Sequence, residues 1–375
     1  MLSQNTNALG ILFPNSYDNT VPELVTERTM ASIPFAGRYR MIDFPLSSMA
    51  NCGITNVSVI VRKNYHSLMD HLGAGREWDL SRRRGGLNMW PPFADKNVKL
   101  YNGRVEAIAS ILNYLQSQRE KYVVLSDTNI AANIDYNSIL AEHQKSGADI
   151  TMLYRRAEVP AGLRDDNCTV SVGEGGRVTE FLFNDSRPGP QNLNLNVYVM
   201  ERAALIKLIK DATSRGVLFF EREILAHNVS VLNIHAIEYT GYVALVCDMK
   251  SYFDENRKLI DEQNLNALFP PTSPIYTKLR DDNPTRYVTG SKVSDSLIAD
   301  GCCIEGTVEN CVLFRGVIVR RGAVVRNCVL MQDTVIEPDV RLDCVVTDKN
   351  VRVTAGQHLS GTESFPVFVA KRHVV

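Results

Sequence analysis

Two sets of residues have the types and spacing to do chemistry. The first is basic. Arg38 and Arg40 fall in the block Pro34–Phe44 beside Asp43, and Arg28 lies ten residues before Arg38. A guanidinium binds phosphate or sulfate through paired N–H donors, so clustered arginines suit a sugar bisphosphate or a sulfate-type anion. The same residues would equally brace a core through ion pairs, and spacing alone leaves both readings open. The second set is acidic: Asp127 follows the apolar run Tyr122–Ser126, and Asp248 precedes a helical pattern at Ser251–Gln263. Carboxylates are the ligands a hard divalent cation requires. Read more simply, Asp127 is a strand-end turn residue and Asp248 a helix N-cap.

Other reactive groups carry less. His66 and His71 share one helical face and read as structural rather than metal-binding. The run Arg82–Arg84 in SRRRGG reads as a solvated loop. Of eight cysteines only Cys302 and Cys303 are adjacent, and no CxxC pair occurs; free buried thiols of a reducing cytosol are expected.

These residues need a scaffold, and the chain supplies two kinds. In the first two thirds, buried-strand patterns at Ala8–Phe13, Asn56–Arg62 and Tyr122–Ser126 alternate with helical ones. Arg104–Arg119 is an example, with Ile108, Ile111, Leu112 and Leu115 at three- and four-residue steps. Such alternation predicts a doubly wound, mostly parallel α/β sheet, with ligands bound beyond the carboxyl ends of its strands. The segments after Phe13 and after Ser126 are therefore where a site is sought. From Ile150 to Tyr239 the pattern turns β-rich, which predicts a second sheet region covering the cleft. Phe269–Pro274 (FPPTSP) reads as a linker.

The last 85 residues follow another rule. Ile318, Val324, Leu330, Ile336 and Leu342 recur every six residues, with Ile298 and Ile304 as an earlier pair. Residues of modest size (Cys302, Val308, Cys328, Thr334, Val340, Val346) follow four positions later in most cases. A six-residue period predicts a hexapeptide β-helix of three or four coils, each repeat forming one side of a triangular coil. The expected divisions are residues 1–250, a helix and linker at 251–290, and the β-helix at 291–375.

With 375 residues, 45% hydrophobic and 22% charged, and a formal net charge of −1, the composition is that of a soluble globular protein. No basic run invites nucleic acid or an anionic membrane. The N-terminal MLSQNTNALG has no basic leader region, and no stretch approaches a membrane span, so a cytoplasmic location is expected.

Longer motifs then carry a resemblance. Ile33–Ile54 (IPFAGRYRMIDFPLSSMANCGI) resembles the PFGGKYRIIDFxLSNxxNSGI block of the bacterial ADP-glucose pyrophosphorylase family. His66-Ser67-Leu68 matches its HSL, Tyr122–Tyr136 aligns with the stretch carrying its Gly-Asp-His, and Gly241-Tyr242 matches the start of its GYWRDVGT block. The resemblance implies a Rossmann-like, GT-A-like nucleotidyltransferase domain followed by a left-handed parallel β-helix. It also implies tetrameric assembly and an effector site near Pro34–Phe44, with Arg28, Arg38 and Arg40 as anion-binding candidates.

Where the family carries chemistry, the sequence departs from it. Nucleotidyl transfer joins two polyanions, and needs backbone amides, cations and metal-holding carboxylates. The family's GGxGTRL loop is here Phe13–Thr20 (FPNSYDNT), with no glycine between Ile11 and Ala36. The lysine of its AKPA aligns with Met30, its two metal aspartates with Asn129 and Leu245, and its sugar-phosphate lysine with Asn184. In Phe219–Leu225 (FFEREIL) the leading aspartate of DFGKDIL has become Phe219, while Arg222 retains a positive charge.

The expectation is a regulatory, catalytically impaired subunit that binds no catalytic metal. Its tetramer would pair it with a catalytic ADP-glucose pyrophosphorylase subunit, which supplies the Mg²⁺ site. The alternatives are an active adenylyltransferase using displaced ligands such as Asp127 and Asp248, and a ligand sensor without an enzyme partner. A β-helix acyltransferase would have only His358 and His373 as bases in that region.

Overall fold

The computed structural model describes residues 6–92 and 101–375. The leader expectation falls partly on residues 1–5, outside the described residues. Nine strands form the sheet of the N-terminal domain. They are β1 (Ala8–Phe13), β2 (Asn56–Ile60), β3 (Gly86–Trp90), β4 (Tyr122–Asp127), β5 (Ile150–Ala157), β6 (Cys168–Val172), β7 (Val178–Phe183), β8 (Gln191–Glu201) and β9 (Ile234–Glu238). β4, β1, β2 and β3 run parallel in that order. β8 pairs antiparallel with both β4 and β5, and β6 and β7 extend its far edge.

Every residue of β1 is buried, because both faces are covered. Leu9, Ile11 and Phe13 meet one set of helices, while Ala8 and Leu12 face the other. The β-rich stretch Ile150–Tyr239 is not a separate cover as the sequence suggested. The eleven-residue β8 stitches it edge-on into the same sheet. The long helical pattern at Arg104–Arg119 also divides, into Arg104–Ser110 and Leu112–Ser117. Ile111 gives its amide to Ile108 rather than Ala107, and this tightened turn ends the first helix. Ser251–Gln263 splits likewise, into Met249–Lys258 and Glu262–Leu268, because Asp261 caps the second piece.

The C-terminal region is a left-handed β-helix of three parallel five-stranded sheets, so five coils rather than the expected three or four. Its repeat is not a strict six. Val319 faces Ile336 and Ile336 faces Val353, each seventeen residues on, and Val325, Leu342 and Leu359 keep the same step. Two sides of each coil use six residues and the third uses five. The short corner passes through left-handed φ at Asn310, Asn327 and Cys344. Asparagine tolerates that conformation better than most residues. The strict-six series therefore drifts out of phase. Leu330, Ile336 and Leu342 fill the interior, but Ile318 and Val324 are only half-buried, and Val319 and Val325 take the inner positions.

The two regions share a core. Val312, Phe314, Val329, Met331 and Val346 on one β-helix face pack with Met30, Phe35, Phe44, Tyr252 and Phe253. The linker is pinned as well: Asn133 and Asn51 both hydrogen-bond Ser273.

Candidate functional site

The cleft opens beyond the carboxyl ends of the neighbouring parallel strands β1 and β4, where such sheets bind ligands. The protein's own charged and aromatic side chains line it, around cavities of about 310 and 260 Å³. The Phe13–Thr20 loop closes on itself and on its surroundings. Asn15 accepts from the Arg62 amide at 2.7 Å, and Ser16 donates to Asp127 at 2.8 Å. Asp18 accepts from the Met30 amide at 2.8 Å and from Asn15 at 2.8 Å. Tyr17, in left-handed backbone (φ 63), aims its hydroxyl across the cleft to Asn196. A glycine-rich loop leaves amides free for phosphate, whereas this one presents side chains. Burial lifts the Asp18 carboxyl to about 6, and lifts the Tyr17 phenol further with help from Asp127 and Glu221.

The centre of the cleft is a guanidinium that the sequence analysis passed over. Arg104 binds both oxygens of Asp127, at 2.8 and 2.7 Å, and also pairs with Glu221. Its guanidinium lies 4.8 Å from the centre of the Phe13 ring and 5.9 Å from that of Tyr198. Burial pulls the Arg104 pKa down, but Asp127 and Glu221 more than offset it, so the group stays charged. Arg104 is the first residue of its helix, after Gly103. A Cβ on that glycine would lie 2.2 Å from the Leu218 carbonyl, so glycine allows this close approach. The sequence carried one signal of the clasp: a cation at the positive end of a helix is disfavoured unless carboxylates meet it.

The structure places the sequence-derived positions as follows. Asn129 and Leu245 line one small cavity with Tyr17, Asp166 and Asn196. Leu245 pairs with Ile130, and the Asn129 side-chain oxygen is buried without a hydrogen-bond partner. This pair does not fit a divalent cation, since an amide and an alkyl group supply no negative charge. Asp127 is committed to Arg104. Asp248 is the N-cap of Met249–Lys258, in a reciprocal box with Ser251. No cluster of three metal-ligating side chains occurs among the described residues. Met30 is buried. Asn184 is an exposed turn residue with φ 55. Arg222 lies over Phe183 at 5.1 Å, on the wall of a cavity of about 310 Å³.

Two of the three candidate arginines share a cavity and the third does not. Arg28 is buried and gives one nitrogen to both oxygens of Asp348 in the β-helix, at 2.7 and 2.8 Å. Arg38 pairs with Asp300 of the β-helix. Arg40 donates to the Ser67 carbonyl at 2.6 Å and to its hydroxyl at 3.0 Å. Arg38 and Arg40 line a cavity of about 260 Å³ between the two regions, together with Lys278, Arg280, Arg315 and Lys349. The sequence analysis did not single out these last four, which lie more than two hundred residues further along the chain.

Carboxylates answer only some of these charges. Lys278 pairs with Asp70, and Arg280 with Asp282 and Asp333. Arg315 reaches Asp282 only at 3.7 Å, and its Nε is buried without a hydrogen bond. Burial lowers the Arg40 guanidinium to about 10. His71 is buried against Asp43 at 2.6 Å, a structural role, while His66 is exposed, so the two do not share one helical face as expected, because five residues turn a helix well past a full turn. Arg82–Arg84 form an exposed loop.

Fold and cleft together define a nucleotidyltransferase scaffold joined to a hexapeptide β-helix. The nucleotidyl transferase family model matches residues 24–235, and the GlmU-like C-terminal hexapeptide model matches residues 280–363. The chain is 33% identical to the glycogen biosynthesis protein GlgD of Bacillus subtilis, covering 98% of this chain and 96% of that protein. It is 37% identical to GlgD of Geobacillus stearothermophilus over 86% and 83%. It is 30% identical to the glucose-1-phosphate adenylyltransferase of the same organism over 84% and 82%. The chain therefore belongs to the nucleotidyl transferase family, in the group that holds the GlgD proteins and the glucose-1-phosphate adenylyltransferases. Among the described residues no helix is long and apolar enough to cross a membrane.

Proposed function

We propose that the chain is a regulatory, catalytically impaired subunit of ADP-glucose pyrophosphorylase. It assembles in a tetramer with a catalytic paralogue in the cytoplasm and modulates ADP-glucose synthesis from ATP and glucose 1-phosphate for glycogen biosynthesis. One observation supports this reading: Asp127 is bound by Arg104, and the Phe13–Thr20 loop turns side chains rather than free amides toward the cleft. Nucleotidyl transfer needs donors and a divalent ion there. The uncharged Asn129 and Leu245 support the same reading, and the Mg²⁺ chemistry falls to the partner.

The displaced-ligand alternative is weakened, because Asp127 and Asp248 already have partners. The interdomain cavity is the natural seat of an effector of the sugar-phosphate or sulfate type, since Arg40, Arg315 and Lys349 gather there with little carboxylate compensation. The test is assembly and assay. The purified chain alone is expected to form no ADP-glucose. A catalytic paralogue co-purified with it should show higher kcat or lower KM than the paralogue alone. Robust synthesis by the isolated chain would overturn the proposal.

A further inference from the structure

One cation in the interdomain cavity has no tight carboxylate partner. Lys349 follows Asp348 at a β-helix corner, and Asp348 is already spent: both its oxygens go to Arg28, and one also accepts the Lys349 backbone amide at 2.6 Å. The ammonium itself makes no ion pair among the described residues. The charged groups acting on it are Arg28 and Arg40 from the N-terminal domain, Lys371 from the last coil, and Asp348. His71, bonded to Asp43, also senses it. Arg315, Arg280 and the Lys278–Asp70 pair complete the wall. Around Lys349, Arg28, Arg40 and Lys371 outnumber Asp348, while Asp70 and Asp43 are paired with Lys278 and His71. Burial first, then Arg40 and Arg28, hold the Lys349 ammonium well below the usual lysine range.

We propose that this cavity takes up a proton together with its anion. The empty cavity, where cations surround an unpaired Lys349, favours its neutral amine, and a dianion seated among Arg40, Arg315 and Lys349 favours the ammonium. The inference rests on the anion-site reading above and adds its regulation: anion occupancy is tied to pH. The sign follows from linkage. The occupied state holds more protons than the empty one, so affinity falls as pH rises between the two Lys349 titrations.

Sulfate is the probe, because it stays fully ionised from pH 6 to 9 and any proton taken up must go to the protein. Calorimetry of sulfate binding to the full chain at steps from pH 6 to 9, in two buffers of different ionisation heat, should show uptake rising toward one proton per sulfate within the window where Lys349 titrates. Affinity should fall by up to about tenfold per pH unit within that window. In Lys349→Arg the charge is permanent, so binding is kept and uptake lost; Lys349→Met should bind about tenfold or more weakly, again without uptake. Sulfate binding with no proton uptake, or uptake that survives in Lys349→Arg, overturns the proton linkage and leaves the anion site standing. No sulfate binding at all to the folded wild-type chain overturns the site itself.

Discussion

Arg104 shows what one residue can do to a cleft. It stands at the positive end of its helix, between two aromatic rings, and is tolerable there because Asp127 and Glu221 meet it. Removing one partner of a buried pair leaves an uncompensated charge. Arg104→Ala should therefore cost about 3–5 kcal/mol, read from denaturant unfolding. Arg104→Ala combined with Asp127→Asn should recover part of that loss. Asp18 gives a pH signature. Its carboxyl rises to about 6 in the fold, so the native state binds more protons than the unfolded chain between about pH 4 and 6. Stability should fall as pH rises through that window, by about 2–3 kcal/mol at most, and Asp18→Asn should flatten the curve. The departures from the family's motifs at Asn129, Leu245 and Phe13–Thr20 were legible in the sequence, because a motif shows which residue types stand elsewhere. Of the clasp the sequence held one hint alone, the cation at a helix start. Arg104, Asp127 and Glu221 are far apart in the chain, and nothing local says that they meet.

Among elements, the β-helix was the most legible and also the most misread in detail. An aliphatic every six residues announces the architecture, but a coil of seventeen slips by one residue per turn against that rhythm. The slip has a measurable consequence. Leu330→Ala empties an interior position and should cost about 2–5 kcal/mol. Ile318→Ala, in the same six-residue series but half-buried, should cost well under half as much. Equal losses would restore the strict-six register. The short corner went unseen because its signal is conformational rather than apolar. Asn310 donates to Asn327 at 2.7 Å, and Asn327 donates to Asp343 at 2.8 Å. These amides ladder a turn that hydrophobic periodicity does not record. Parallel strands and helices in the first domain were read from alternation, yet their breaks at Ile111 and Asp261 depend on local hydrogen bonds.

At the scale of the molecule, the two regions are fastened by a buried ion pair and a shared apolar face rather than by a flexible tether. Arg28 and Asp348 are 320 residues apart and both nearly inaccessible. Arg28→Met should lower the unfolding midpoint sharply and broaden or divide the transition as the regions uncouple, whereas Arg38→Met, at a half-exposed pair, should change it little. Differential scanning calorimetry distinguishes the two outcomes. None of this interdomain wiring was readable from the N-terminal block alone, since the partners of Arg28 and Arg38 lie in the last quarter of the chain. The Arg104 clasp also has a consequence for the molecule as a whole. A counter-ion covalently part of the polypeptide has no dissociation constant, so chelators cannot strip it and no swing in magnesium supply can loosen the walls it holds. The melting temperature should be the same in EDTA as in millimolar magnesium.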